Sequence, residues 1–119
     1  MKLVAGTLSL AILAVACGAS APVPDAQRTK TLGSIRAAEA VGAAAVPKAA
    51  LHLKMAQDQI VTAERLIRDG ENGDAGLVLV RAQADADLAL ELARESQMRK
   101  DAAEARAKVD ELKKQAGIQ

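Results

Sequence analysis

The chain has 119 residues, with 16 Lys and Arg against 15 Asp and Glu, and it contains no Phe, Tyr or Trp. Balanced charge and the lack of aromatic platforms exclude a strongly basic nucleic-acid binder and recognition by base stacking. Aromatic side chains normally bury about 150–250 Å² each; with the apolar content carried mainly by Ala, Leu, Val and Ile, thin helix-on-helix packing in one small domain is expected.

Met1-Lys2, the apolar run Leu3 to Val15 and the small residues Ala14, Ala16 and Gly18 follow the order of a secretory signal. The run falls short of the about 20 apolar residues that a membrane-spanning helix needs. Cys17, the only cysteine, stands at its end. The segment Ala14-Val15-Ala16-Cys17 resembles the lipobox of bacterial lipoproteins, with Ala14 where Leu is commonest. That resemblance implies cleavage before Cys17, a diacylglycerol on its thiol and an acyl chain on the new amino group. Two or three chains, at about 0.8 kcal/mol per buried methylene, hold a protein firmly on a bilayer. In such proteins an aspartate after the cysteine commonly favours the inner membrane; Gly18 therefore implies the outer membrane, facing the periplasm. The alternatives are an ordinary cleaved signal with an incidental cysteine, or an uncleaved anchor. Residues 1–16 are thus read as a signal peptide, 17–25 as a lipidated cysteine with a linker, and 26–119 as an α-helical domain. Lys2 is the only charged residue before Cys17, so the mature chain carries 15 basic and 15 acidic side chains.

Gly18 to Pro24 is small and proline-punctuated, the composition of a mobile tether. Asp25 is placed to cap a first helix over about 26–44, whose apolar positions are Leu32, Ile35, Ala38, Gly42 and Ala45. Pro47 must interrupt the helix and suits the first position of a second, over 47–69. There Ala49, Leu53, Ala56, Ile60, Ala63 and Ile67 alternate steps of four and three, the seam of a helix packed nearly parallel to another. Gly70 fits a left-handed helix end, and Asp74 can cap a third helix over 75–116. A loop this short predicts an antiparallel hairpin. The third helix offers Leu79, Ala82, Ala86, Ala89 and Ala93, small residues against the Ile and Leu of the second.

Beyond Arg94 a different stripe begins. Met98, Ala102, Ala105, Val109, Leu112 and Ala116 keep heptad spacing, but at 100° per residue they lie almost opposite Ala82 and Ala93. One hairpin cannot bury both. Glu95 with Arg99, Glu104 with Lys108 and Asp110 with Lys114 sit at i, i+4 with the acid first, each worth about 0.2–0.5 kcal/mol of helicity. The pattern predicts one helix of about forty residues whose C-terminal half projects. Its stripe either awaits a partner helix or a second copy, or is covered by the first helix folding back, or belongs to a frayed and largely solvated tail.

From Gly42 to Ala93 the chain resembles the bacterial family called domain of unknown function 4398. The matching residues are Gly42-Ala43, Val46-Pro47, Leu51, Ala56, Ile60, Ala63, a turn near Gly73, and Arg81-Ala82-Gln83-Ala84-Asp85-Ala86-Asp87-Leu88-Ala89. The resemblance implies an envelope lipoprotein with a helical hairpin. Such proteins are often joined to a peptidoglycan-binding domain of the OmpA type; this chain is expected to lack it, and no catalytic residues carry over.

The chemistry of an active site is missing. His52 is the only histidine, so no cluster for a transition metal is expected. No Ser-His-Asp set sits at usable spacing, and the glycines near Gly73 lack the lysine of a phosphate loop. Asp85 and Asp87 point about 200° apart on a helix, and Arg81 is placed to pair with Asp85. The expected protein is no enzyme and binds no cofactor, metal or nucleic acid. It is a lipid-anchored, structural or adaptor protein of the cell envelope that engages itself or another helical protein; the alternative is a secreted helical protein that binds a small ligand or acts as a holdase.

Overall fold

The computed structural model describes residues 21–118. Three helices form in chain order: α1 Asp25–Ala40, α2 Pro47–Arg68 and α3 Asn72–Gln115, with a short 3-10 turn at Ala43–Ala45 before α2. Among the described residues there is no strand. The fold is all-α, and α3, at 44 residues, is about 66 Å long at 1.5 Å per residue.

The ends of these helices follow from backbone chemistry. Gly42 adopts a left-handed φ of 78°, a conformation that side chains with a Cβ resist, and it closes α1 four residues before the expected end at Ala44. Its amide donates to Glu39 O, and only Ala43 of the following turn is buried. Gly42 and Ala45, expected on the apolar face, are exposed instead. Pro47 opens α2 as predicted. At the far end Gly70 (φ 81°) lets its own amide reach Ile67 O at 3.1 Å and that of Glu71 reach Leu66 O at 2.9 Å, a Schellman closure that satisfies two end carbonyls. Three residues then suffice to reverse the chain.

Two capping expectations are corrected. Asp25 is the first residue of α1, behind Pro24, and makes no capping bond. Asp74 lies within the first turn of α3, which starts at Asn72 rather than Ala75. Both acids keep a favourable place beside a helix N-terminus through its dipole. The earlier start of α3 coincides with a bond from Asn72 Nδ2 to Ala21 O at 2.8 Å. Residues 21–24, the described end of the linker, are non-helical and lie against this first turn, with Ala21 and Pro24 beside Gly73 and Gly76.

Helix α3 is the centre of the bundle. The seam Leu79, Ala82, Ala86, Ala89 and Ala93 is buried as predicted, joined by Ala75. From α2 it receives Ala49, Leu53, Ala56, Ile60, Ala63 and Leu66; Leu66 takes the position expected of Ile67, which is half-buried. The two helices are antiparallel, since Pro47 lies near Ser96 and the chain reverses just beyond Arg68. Helix α1 adds Ile35 and Ala38 to the same core. It starts beside Gly76 and ends, at Val41, beside Ala93, so it runs parallel to α3 and antiparallel to α2. The hairpin is thus a three-helix bundle, and beyond Met98 every described residue of α3 is exposed.

Candidate interaction surface

The buried side of α3 is small because α1 and α2 both approach it closely. Thr31 shows how closely: it is fully buried, and its Oγ1 lies 2.8 Å from Gln27 O in its own turn and 3.1 Å from Leu79 O on α3. A longer side chain there would force the axes apart.

Polar ties fix the register of the bundle. Asp85 accepts from two α2 side chains one heptad apart, facing His52 Nδ1 at 2.9 Å through Oδ1 and Gln59 Nε2 at 2.8 Å through Oδ2. The expected pairing of Asp85 with Arg81 does not occur, because α2 offers partners on the half-buried side while Arg81 faces solvent. Arg28 of α1 donates to Glu64 of α2 at 2.8 Å. That bond and the charge of Glu64 raise the Arg28 pKa above its ordinary value, against a smaller opposing effect of burial. By linkage a raised folded pKa adds stability that is lost only as pH rises through it, here beyond the ordinary arginine range. Gln27 also donates to Gln83 at 2.8 Å. Among the described residues no group of three His, Cys, Asp or Glu is arranged to hold a metal ion.

The outer side of α3 carries an aligned stripe of open apolar surface, whereas α2 exposes Leu51, Met55 and Val61. Met98, Ala102, Ala105, Val109, Leu112 and Ala116 are all exposed; α1 does not fold back over them, since it packs on the other half of α3. Of the three i, i+4 pairs expected in this half, Glu95 and Arg99 close at 2.5 Å, whereas Glu104 with Lys108 and Asp110 with Lys114 do not come within ion-pair distance.

The stripe is longer than its sequence reading. Leu77, Val80 and Leu88 are 61%, 55% and 43% exposed, beside 63%, 50% and 55% for Met98, Val109 and Leu112. At 100° per residue all six fall within an arc of about 120°, nearly opposite the buried seam. The signal was present in the sequence: stepping back by sevens from Leu112 gives Ala105, Met98, Glu91, Ala84 and Leu77, and from Val109 gives Ala102, Glu95 and Leu88. Glu91 and Glu95 interrupt the rows and hide their continuity. Where α1 ends, a notch of about 460 Å³ lined by Val41, Ala93 and Met98 adjoins the stripe.

Cys17 lies outside the described residues, and none of the described helices is long and apolar enough to cross a membrane.

The architecture is that of an all-α protein, three helices with one of them prolonged well past the other two. The model of a family described as domain of unknown function, DUF4398, matches residues 26–105, and the chain belongs to that family. The match takes in α1 as well as the α2–α3 hairpin, so the family's unit spans the three helices and the first turns of the projecting segment. No curated protein and no solved structure matches the chain.

Proposed function

We propose that the protein is a lipid-anchored adaptor of the bacterial envelope, held through Cys17 to the periplasmic side of the outer membrane, and that it acts by binding helices rather than by catalysis. The observation that carries this reading is the open apolar face of α3 from Leu77 to Ala116. A soluble chain that leaves six large apolar side chains aligned on one helix face offers a surface suited to another helix. The anchor is supported by the lipobox-like residues before Cys17. Gly18, which follows the cysteine, supports the outer membrane.

Cys17→Ser tests the anchor. The variant is expected to leave the membrane fraction, and the native protein to show the mass of residues 17–119 plus three acyl chains and glycerol. A native protein of unmodified mature mass in the soluble fraction would overturn the reading in favour of a secreted helical binder.

A further inference from the structure

The open face of α3 carries information about what covers it. On the projecting half alone, Met98 to Ala116, the stripe is about 27 Å long at 1.5 Å per residue and about 10 Å wide. Paired with a like surface it buries roughly 500 Å² in total, below the ~1,200 Å² of a stable interface. The whole face from Leu77 to Ala116 is about 60 Å long and brings the total to roughly 1,200 Å², the lower edge of that class. A tight partner therefore has to follow α3 along both its bundled and its projecting halves.

The charges along α3 select the occupant. Its first part, residues 72–98, has five acidic against two basic side chains, and residues 99–115 have six basic against four acidic. A second α3 laid antiparallel sets the acidic part of each copy on the basic part of the other. Laid parallel, it stacks Glu91 on Glu91 and Glu95 on Glu95 inside the seam, where like charges are costly. In the antiparallel register that centres the two faces, Leu77 meets Ala116 of the second copy, Ala84 meets Val109 and Leu88 meets Ala105. At these three pairs a large residue falls opposite a small one, the same matching that joins α2 to α3, while Met98 meets Glu95 and Leu112 meets the stem of Arg81. Glu91 and Glu95 then lie opposite the second copy's residues 98–102, which include Arg99 and Lys100, and Asp87 lies near its Lys108.

We infer that the open face of α3 binds a second copy of this chain in antiparallel orientation, so that the projecting segment of each copy lies along the three-helix bundle of the other. The inference rests on the adaptor reading and names its partner.

The test places a photoreactive amino acid at Leu77, an exposed position, in the full chain expressed in cells; after irradiation, mass spectrometry locates the adduct. The expected product is a dimer joined to residues 105–116 of the second copy. Asp87→Lys lowers its yield several-fold, and adding Lys108→Asp to the same chain restores it. An adduct to residues 72–90 of the second copy would mean parallel pairing and overturn the inference. Adducts to other proteins alone would overturn it too, while leaving the adaptor reading in place; no adduct of any kind would sink both.

Discussion

Replacing Ala86 by Leu is the sharpest probe of how the bundle is held. Ala86 is 0% exposed, midway along the seam where α3 meets α2, and three further carbons have no space there. Overpacking of this kind typically costs about 1–3 kcal/mol, out of a total near 5–15 kcal/mol for a domain of this size. At about 4–8 °C per kcal/mol, the melting temperature should fall by about 5–20 °C. The same substitution at Ala102, exposed on the opposite face of the same helix, provides the control. It should move stability by no more than about 0.5 kcal/mol in dilute solution. Both melts are read by far-UV circular dichroism. Equal shifts in the two variants, or no shift for Ala86→Leu, would refute the argument that alanines set the approach of α2 to α3.

Gly33 sits inside α1 with nothing within 4 Å of where a Cβ would stand. Gly33→Ala should therefore stabilise the protein by about 0.5–1 kcal/mol, visible as a raised denaturant midpoint; a lowered one would mean a contact that the helix face does not show. Gly42→Ala should do the reverse, because the φ of 78° penalises a Cβ by about 1–2 kcal/mol. Asp85→Ala leaves His52 and Gln59 without their shared acceptor and should cost about 1–3 kcal/mol. If the loss is no larger than for Asp87→Ala, an exposed neighbour, the cross-helix tie contributes nothing of its own.

Much of the fold was legible because each signal was local. The steps of four and three through Ala49, Leu53, Ala56, Ile60 and Ala63 were legible in the chain, as was the alanine seam from Ala82 to Ala93. Pro47 and Gly70 marked ends through their own backbone chemistry. The readings that failed depended on neighbours distant in sequence. Asp25 and Asp74 are good caps by residue type, yet Pro24 stands before one, and α3 begins before the other where Asn72 reaches Ala21. Asp85 chose His52 and Gln59 over Arg81 because α2 lies on its half-buried side, which no local rule contains.

The stripe divides the same way. Its projecting half, Met98 to Ala116, was readable because heptad spacing is a property of one helix. Its other half, Leu77 to Leu88, lies on the same heptad rows but behind the interruption of Glu91 and Glu95, and because the bundled part of α3 is apolar on more than one face, spacing alone cannot say which face is covered. By itself, then, the sequence determined an all-helical chain, the places where its helices break, and a third helix too long for its partners. The tertiary structure decided the rest: α1 and α2 both settle on the alanine side of α3, where short side chains let the axes come close, and so one apolar face is left open along nearly the whole helix.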